Sequence, residues 1–334
     1  MADLKAAVIG VGAMGQHHAR IYAQMPEVEL VAVADASAET GEMIAQLHHT
    51  IAYTDYHQLL GREKPDLVSV AVPTAFHHLV ALDALAAGCH VLVEKPIAAT
   101  EAQAQELIDR AAVKGRKLMV GHIVRFDPAV QALRTHLEAG ELGRIFQVRC
   151  RRLGPFPARV QDVGVVIDLA THDLDIIRFL TGQEATRVYA ETEQKIHSQY
   201  EDMLVGTVRL ADGTLGMLDI NWLTPTKVRE LTVTGELGMF LVDHLTQDLY
   251  FYENAETNGD RWSAISLFRG VSEGRMIRYP VRKYEPLKLE LEGFVRAVID
   301  DSPVPVDGSD GLTALRLAQA LVQSGREGRA ISLR

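Results

Sequence analysis

The chain has 334 residues with a formal net charge of -10 and 47% hydrophobic residues, a length and composition that predict a globular protein of two domains. The acidic balance leaves no basic surface for nucleic acid or for an anionic membrane, so neither is expected as a partner. The two cysteines, Cys89 and Cys150, lie far apart and outside any C-x-x-C spacing, which argues against a disulfide framework and a thiolate metal site.

In the first third of the chain, short runs typical of strands alternate with amphipathic stretches typical of helices, as in the βα units of a parallel sheet. Thr100 and Gln103 form a capping-box pattern at the start of one helix, and Gly115 is placed to end it. This pattern predicts an α/β domain with a parallel sheet over residues 1–122. The predicted strands are Lys5–Gly10, Glu29–Asp35, Asp66–Pro73, His90–Glu94 and Lys117–His122.

The pattern changes after this domain, where a helix over Pro128–Ala139 precedes a long series of strands with few helices between them. Turn signals at residues 211–213 and 235–238 indicate that the strands flanking each turn are antiparallel. Residues 123–334 are therefore predicted to form an α+β domain with a large, mainly antiparallel open sheet. Its predicted elements are the strands Ile145–Leu153, Arg187–Gln194, Met203–Leu210, Thr214–Trp222, Arg229–Gly235, Gly238–Asp243 and Asp248–Tyr252, and the closing helices Pro286–Ile299 and Ser309–Ser324, the latter ended by Gly325.

A glycine-rich motif, Gly10-Val-Gly12-Ala13-Met14-Gly15, directly follows the first predicted strand and opens a helix. The first glycine permits the tight turn, the second lets the backbone approach a pyrophosphate, and the third allows close packing of helix on strand. A plain βα turn is the alternative interpretation. In this context the motif predicts a Rossmann dinucleotide-binding domain, with phosphate contacts along the loop from Gly10 to Gly15.

The choice between NAD and NADP depends on Asp35, which ends the second predicted strand. A carboxylate at this place accepts hydrogen bonds from the adenosine ribose and would repel the 2'-phosphate of NADP. The next three residues, Ala36, Ser37 and Ala38, include no arginine that could offset this repulsion. We therefore predict NAD as the cofactor, with NADP disfavoured, and the alternative is that Asp35 is a solvated carboxylate at a strand end.

A lysine follows the predicted strand His90–Glu94, at the carboxyl edge of the sheet where open α/β folds bind ligands. Pro96 restricts the residues before it to extended geometry and so could hold the Lys95 ammonium toward the cleft. A fixed ammonium can donate a hydrogen bond to a substrate hydroxyl and favour its alkoxide. Taken alone, Lys95 is better interpreted as a solvated lysine at a strand end than as a functional residue. A second polar group shifts the interpretation toward function.

This second group is Asp168, His172 and Asp175, spaced i, i+4 and i+7 in an otherwise apolar stretch. If the stretch is helical, the three form one polar stripe, which is costly to bury unless it is paired or used. His172 can take a hydroxyl proton near neutral pH, and Asp168 can orient the imidazole and stabilise its charged form, as oxidation of an alcohol requires. A capping and salt-bridge network with Arg178 is the alternative. A metal site on the three side chains has no further supporting spacing, and none is predicted.

Together these motifs resemble the glucose-fructose oxidoreductase and inositol dehydrogenase family (Gfo/Idh/MocA) over nearly the whole chain. The resemblance implies that Lys95, Asp168 and His172 form the catalytic trio and contact the substrate. The motifs that carry it are the glycine loop, Val72-Pro-Thr74 followed by His77, Glu94-Lys95-Pro96, Gly121–Phe126 and Asp168–Asp175. The resemblance further implies cofactor contacts at Thr74, His77, Glu94 and Lys95, and a substrate contact at Arg125.

Two segments, His122–Pro128 and Tyr284–Phe294, resemble the branch of this family that acts on nucleotide-linked amino sugars, notably UDP-N-acetylglucosamine 3-dehydrogenases. Inositol and free-aldose dehydrogenases share the catalytic trio, so those substrates stay open. A nucleotide diphosphate would need an anion site, although a run of arginines such as residues 149–152 is more often a solvated strand face. The candidates for that site are Arg125, Arg151, Arg152 and Arg159.

The predicted function is that of an NAD-dependent oxidoreductase that transfers a hydride between the nicotinamide and a secondary alcohol of a sugar or sugar nucleotide. A non-catalytic dinucleotide-sensing regulator and an NAD-dependent glycosidase, which share the fold, are the alternatives. A regulator needs only the nucleotide loop, so the presence of Lys95, Asp168 and His172 argues against it.

Three further expectations concern the whole molecule. The N-terminus runs directly into a strand-like stretch and no apolar segment has the length of a membrane span, so we predict a cytoplasmic protein. A sheet covered by few helices leaves an apolar face to bury, which predicts a homodimer or homotetramer. The C-terminal helix is expected to be able to pack back on the first domain.

Overall fold

The computed structural model of the protein describes residues 4–157, 163–197, 199–254 and 273–333. The chain divides into two compact units, and its last helix contributes to both. Unit 1 comprises Met1–Ile123 and Glu285–Arg316, and unit 2 comprises Val124–Tyr284 and Leu317–Arg334. The predicted domain boundary between residues 122 and 123 stays a prediction.

The elements of both units follow in chain order. The strands are β1 (Leu4–Ile9), β2 (Val28–Ala34), β3 (Ile51–Tyr53), β4 (Leu67–Val70), β5 (His90–Glu94), β6 (Leu118–Gly121), β7 (Ile145–Pro155), β8 (Ala185–Glu193), β9 (Met203–Leu210), β10 (Leu215–Asn221), β11 (Leu223–Gly235), β12 (Gly238–Asp243), β13 (Asp248–Asn254), β14 (Glu273–Tyr279) and β15 (Ile331–Ser332). The helices are α1 (Gly15–Gln24), α2 (Ala38–His48), α3 (Tyr56–Glu63), α4 (Thr74–Ala86), α5 (Glu101–Lys114), α6 (Pro128–Glu138), α7 (Thr171–Thr181), α8 (Pro286–Ile299) and α9 (Gly308–Glu327). A 3-10 turn spans Ile123–Phe126, and a π-helical turn spans Val166–Ala170.

Unit 1 contains a six-stranded sheet in the order β3-β2-β1-β4-β5-β6, and every neighbouring pair is parallel. This is the strand order of a doubly wound dinucleotide-binding fold. Strands β4 and β6 are buried along their whole length, as expected where helices cover both faces of a parallel sheet. The predicted Rossmann fold of the N-terminal part is confirmed.

Helix α5 begins and ends as its sequence predicts. The Thr100 hydroxyl accepts a hydrogen bond from the Gln103 backbone N–H at 3.3 Å, which satisfies one of the first N–H groups of the helix. Gly115 follows the last residue with a φ of +60°, the left-handed conformation that commonly ends helices. Both signals act within one helical turn, so neither depends on distant parts of the chain.

Unit 2 contains a nine-stranded sheet in the order β14-β13-β12-β11-β7-β10-β9-β8-β15. The turns at residues 211–213 and 235–238 join the antiparallel pairs β9–β10 and β11–β12, as predicted. Strands β7 and β10 pair in parallel, so the sheet is mainly rather than wholly antiparallel. One face of the sheet is buried in a single apolar core that includes residues of α6 and α7.

Several elements differ from the sequence-based prediction. Strands β3, β14 and β15 were not anticipated, and β11 begins at Leu223 instead of Arg229. Gly325 does not end the last helix, because α9 continues to Glu327 and Gly328 follows with a φ of +62°. A Cβ on Gly325 would lie 2.3 Å from Oγ1 of Thr192. Gly325 therefore permits close packing of the helix, not its end.

Across residues 4–157, 163–197, 199–254 and 273–333, no helix combines the length and apolar character that a bilayer span requires.

Candidate active site

The glycine loop of unit 1 has three glycines with three different steric roles. Gly10 has a φ of +85°, and a Cβ there would lie 2.7 Å from the carbonyl oxygen of Ala71. A Cβ on Gly15 would lie 1.7 Å from the carbonyl oxygen of Gly10, so α1 packs directly on the turn. A Cβ on Gly12 would meet nothing within 4 Å. Gly10 and Gly15 thus serve the turn, while Gly12 leaves open space beside the backbone.

Asp35 follows β2 and contacts this loop. One carboxylate oxygen accepts a hydrogen bond from the Val11 backbone N–H at 2.9 Å, and the other accepts one from the Ser37 N–H at 2.9 Å. The carboxylate is half-buried and therefore has a fixed position next to the glycine loop. These contacts leave lone pairs on both oxygens for further donors.

The loop and Asp35 fit a bound dinucleotide. The open space at Gly12 allows a pyrophosphate to approach the backbone, and the N-terminus of α1 supplies N–H groups and a favourable dipole for its charge. Asp35 adds an acceptor for ribose hydroxyls. Ala13 and Met14, which lie between the last two glycines, are exposed and half-exposed respectively, as expected for residues of a phosphate-binding turn.

Thr74 and His77 lie in the first turn of α4. The imidazole of His77 is buried, with Nδ1 2.7 Å from the Pro96 carbonyl oxygen and Nε2 2.8 Å from the Val72 carbonyl oxygen. Burial lowers the pKa of His77, while the hydrogen bonds to the two carbonyl oxygens act in the opposite direction. His77 thereby contacts the backbone at Val72 and at Pro96, and its predicted contact with the cofactor stays a prediction.

Glu94 and Lys95 lie where β5 ends. Lys95 is half-buried, and its backbone N–H donates to Oε2 of Glu94 at 3.3 Å. The other carboxylate oxygen of Glu94 lies 3.0 Å from Nε2 of His18. Burial raises the pKa of Glu94, but the hydrogen bond from His18 and the charge of Lys95 act against it, and the pKa lies below its ordinary value. His18, which sequence reasoning missed, follows Gly15 by three residues on α1.

In unit 2, Asp168 and His172 do not belong to one regular α-helix. Asp168 lies in the π-helical turn Val166–Ala170, and His172 lies in the first turn of α7. Both side chains are half-buried. The predicted α-helical stripe is corrected accordingly, because a π turn is wider than an α turn and changes the alignment of residues four apart. Single π turns inside helices occur frequently at functional sites.

The other two acidic residues of this segment form buried ion pairs. Asp173 accepts hydrogen bonds from Nε and Nη2 of Arg152, the shortest at 2.6 Å. Asp175 accepts from Nε of Arg125 at 2.7 Å and from Nη2 at 2.5 Å. The ion pair of Asp175 with Arg125 therefore stabilises helix α7. The alternative partner that the sequence suggested, Arg178, instead binds Glu184.

The four arginines considered for a diphosphate site have different surroundings. Arg125 and Arg152 are buried in the ion pairs just described, and the predicted substrate contact of Arg125 stays a prediction. Arg151 contacts Glu230 at 2.9 Å and Asp219 at 3.6 Å on the sheet. Arg159 lies outside the described residues.

A fifth arginine, Arg229, was missed by sequence reasoning because it lies in an ordinary strand pattern. Its Nη1 donates to the carbonyl oxygens of Leu153 at 2.5 Å and Val228 at 2.7 Å. Burial, followed by repulsion from Arg152, lowers the pKa of Arg229 to about 10, although Asp173 and Asp168 attract it. Arg229 is thus a half-buried cation within electrostatic reach of Asp168, hydrogen-bonded to backbone carbonyls instead of a carboxylate.

In the part of the chain that the structure describes, no group of three or more His, Cys, Asp or Glu side chains could hold a metal ion.

Two family models match the chain. Residues 4–122 match an oxidoreductase family with an NAD-binding Rossmann fold, and residues 130–241 match the GFO/IDH/MocA C-terminal domain. The UDP-N-acetylglucosamine 3-dehydrogenase of Acidithiobacillus ferrooxidans is 31% identical over 318 residues, which cover 95% of this chain and 96% of that protein. The myo-inositol 2-dehydrogenase of Thermotoga maritima is 26% identical over 342 residues, with coverage of 99% and 98%.

A solved structure gives the same relationship. The structure of the Acidithiobacillus ferrooxidans enzyme aligns with a TM-score of 0.85 at 31% identity, over 97% of this chain and 98% of that chain. Sequence motifs, strand order and both family models thus agree across the two parts of the molecule. The chain therefore belongs to the Gfo/Idh/MocA family of oxidoreductases, as its motifs predict.

Proposed function

We propose that the protein is an NAD-dependent dehydrogenase that transfers a hydride between the nicotinamide and a secondary alcohol of a nucleotide-linked sugar. The observation that carries the proposal is that Asp168, in a π-helical turn, and His172, in the helix that follows, are both half-buried, in a chain whose N-terminal part belongs to an NAD-binding fold. In this proposal residues 1–122 bind the dinucleotide, residues 123–334 bind the substrate, and the protein works in the cytoplasm.

The proposed chemistry assigns one task to each member of the trio. Oxidation of the alcohol breaks its C–H bond, whose electron pair leaves as hydride, and its O–H bond, whose proton needs an acceptor. His172 takes that proton, and Asp168 orients the imidazole and stabilises its charged form. The ammonium of Lys95 donates a hydrogen bond to the substrate oxygen and stabilises its negative charge. Bound NAD supplies the hydride acceptor.

The proposed cofactor contacts follow the geometry of unit 1. The loop residues Gly10, Gly12, Ala13, Met14 and Gly15 would hold the phosphates of the dinucleotide, since Gly12 leaves space there. The Asp35 carboxylate accepts from the adenosine ribose and disfavours a 2'-phosphate, so NAD is preferred. Toward the nicotinamide, the proposed contacts are Thr74, His77, Glu94 and Lys95.

A nucleotide-linked sugar is the proposed substrate class for two reasons. The first is the 31% identity to a UDP-N-acetylglucosamine 3-dehydrogenase. The second is Arg229, a half-buried guanidinium with hydrogen bonds to two carbonyls, in the same unit as Asp168. A diphosphate could bind it bidentately. Arg125, Arg151 and Arg152 already face carboxylates, which favours Arg229 for this task.

Substitution of Arg229 separates recognition of the diphosphate from recognition of the sugar. We expect Arg229→Gln to raise KM for a UDP-sugar by about 10- to 100-fold, the value of one charge-assisted hydrogen bond. KM for the corresponding free sugar should change little. Arg151→Gln is the matched control, because Arg151 is bound to Glu230 and Asp219. Equal KM changes for both substrates would remove Arg229 from diphosphate recognition.

A panel of sugar nucleotides, inositols and free sugars with NAD and NADP, monitored by NADH absorbance, tests the proposed function. We expect the highest kcat/KM with a UDP-N-acetylhexosamine and NAD. Preference for an inositol or an aldose would favour the other substrates of the family. Release of free sugar without net NADH would identify a glycosidase, and NAD binding without turnover of any member would favour a regulator.

A further inference from the structure

Four buried polar side chains of unit 1 form a row that ends at Glu94, the residue before Lys95. His18 and Tyr22 come from α1, Ser69 comes from β4, and Glu94 ends β5. The first three have no exposed surface, and Glu94 is 8% exposed. Nothing in the proposed proton transfer uses His18, Tyr22 or Ser69, and burying polar groups costs free energy unless hydrogen bonds compensate for the lost water. We refer to Tyr22, Ser69, His18 and Glu94 as the buried chain.

The members of the buried chain are joined end to end by hydrogen bonds. The Tyr22 hydroxyl lies 2.9 Å from the Ser69 Oγ, which lies 3.1 Å from Nδ1 of His18. Nε2 of His18 lies 3.0 Å from Oε1 of Glu94. One arrangement of protons satisfies every contact: Tyr22 donates to Ser69, Ser69 donates to His18, and His18 donates to Glu94. This direction suits an ionised carboxylate at its end, because an ionised carboxylate accepts at both oxygens, and here Oε1 faces His18 while Oε2 faces the Lys95 N–H.

The Glu94 carboxylate is also fixed from its other sides. Its Oε2 accepts from the Lys95 N–H at 3.3 Å. Gly121 is its register partner on β6, and a Cβ there would lie 3.1 Å from the Glu94 Cδ and Oε2. The glycine therefore provides the space in which the carboxylate lies. With Oε1 held by His18, the whole group has one position beside Lys95.

The charges around the buried chain favour this state. Burial alone raises the pKa of Glu94, whereas the hydrogen bond from His18 and the charge of Lys95 lower it. Tyr22, whose pKa is raised by burial, stays a donor, and Glu290 of α8 faces it electrostatically. Without His18, the balance for Glu94 would shift toward the protonated, neutral carboxyl.

We propose that His18 is a positioning residue, which through its hydrogen bond keeps Glu94 ionised and oriented beside Lys95. Helix α1 would then link the glycine loop, where it begins, to the lysine at the end of β5. The inference rests on the proposed function for the role it gives Lys95, but the state of Glu94 can be measured without any turnover.

The test measures the protonation of Glu94 directly in the whole protein. The side-chain carboxyl of ¹³C-labelled glutamate is titrated by NMR, with Glu94→Gln used to assign the resonance. In the wild type we expect Glu94 to stay ionised between about pH 6 and pH 9, the range in which buried carboxyls without partners titrate. In His18→Leu we expect it to titrate within that range. His18→Gln, whose amide can donate from a similar position, should restore the wild-type curve.

Cofactor affinity provides the second measurement. We expect His18→Leu to bind NAD about 10- to 100-fold more weakly at the acid end of this range, the value of one charged hydrogen bond, and to recover toward alkaline pH as Glu94 deprotonates. Glu94→Gln should be weakened equally at all pH values. His17→Leu is the matched control, because His17 is the exposed neighbour on the same helix. Both of its curves should match the wild type.

The outcomes separate the two proposals. An unchanged Glu94 titration in folded His18→Leu, with NAD affinity parallel to wild type at every pH, would overturn the positioning role. If His18→Leu does not fold, His18→Asn offers a milder variant, whose shorter side chain keeps an amide but does not reach Glu94, and an unchanged titration in that variant would also overturn the role. A shifted titration in a protein that turns over no substrate would instead contradict the proposed function and leave the role of His18 intact.

Discussion

The Asp35 carboxylate, which follows β2, contacts the glycine loop and is also the proposed acceptor for the adenosine ribose. Its two oxygens accept hydrogen bonds from the N–H groups of Val11 and Ser37, and these contacts fix the carboxylate beside the glycine loop. A carboxylate held in place cannot turn away from a 2'-phosphate. The electrostatic penalty against NADP should therefore exceed that of a freely rotating surface carboxylate.

Substitution of Asp35 tests this electrostatic penalty. Asp35→Ser removes the charge and the acceptor for ribose, so the ratio of kcat/KM with NAD to that with NADP should fall by about 10- to 100-fold. Thermal unfolding serves as the control for lost loop contacts. Better wild-type turnover with NADP than with NAD would contradict the assignment.

At the scale of elements, the junction of β1 and α1 is sterically tight. Gly10 and Gly15 approach backbone atoms so closely that no side chain fits, whereas Gly12 has free space. We therefore expect folding and cofactor binding to depend on different glycines of the same loop.

Two alanine substitutions should separate these dependencies. Gly15→Ala places a Cβ against the Gly10 carbonyl and should lower the unfolding temperature, with a destabilisation of about 1–3 kcal/mol or more from overpacking. Gly12→Ala should keep the unfolding temperature but weaken NAD binding, because its methyl group occupies the space proposed for the pyrophosphate. Calorimetric titration and thermal unfolding of both variants provide the comparison. A Gly12→Ala protein that binds NAD normally would place the pyrophosphate elsewhere.

The sequence predicted the ends of a helix correctly where the signal and its effect lie within one helical turn. The Thr100 cap and the Gly115 stop are of this kind. Gly325 shows the limit, because a glycine that ends a helix and one that permits close packing look alike in sequence. Only the neighbour on another element, Thr192, distinguishes them. The short strand Ile51–Tyr53 lacks enough residues to show a period.

The segment Asp168–Asp175 shows the same limit for side chains. Sequence spacing found the polar positions, but the partners of Asp173 and Asp175 are Arg152 and Arg125, which lie far away in the chain. The nearby Arg178 was the natural candidate and binds elsewhere. The π-helical turn at Asp168 also has no signature in spacing, since the same residues would suit an α-helix.

At the scale of the whole molecule, the nine-stranded sheet has one buried face and one outer face. On the outer face, several apolar side chains are partly exposed. These are Tyr189 at 36%, Val205 at 51%, Tyr252 at 37% and Met276 at 61%. Exposed apolar area of this kind on a sheet favours association with a second copy of the chain.

We therefore predict a homodimer or homotetramer that buries this face. Light scattering at micromolar concentration should give twice or four times the mass of one chain. Val205→Glu, which places a charge on the face, should shift the population toward the monomer with an unchanged circular dichroism spectrum. A wild-type protein that is monomeric throughout this range would refute the prediction.

In the proposed proton transfer, His172 is the proton acceptor and Lys95 its electrostatic partner. The most direct test of this assignment is kcat of His172→Ala, Lys95→Ala and the double variant, on the best substrate of the panel, with NAD affinity and folding as controls. We predict that His172→Ala lowers kcat by about 10²- to 10⁴-fold, the usual contribution of a general acid or base, while NAD binding persists. Because groups that act together are not additive, the double variant should be little worse than the poorer single one. Near-wild-type turnover of a folded His172→Ala protein would contradict this mechanism.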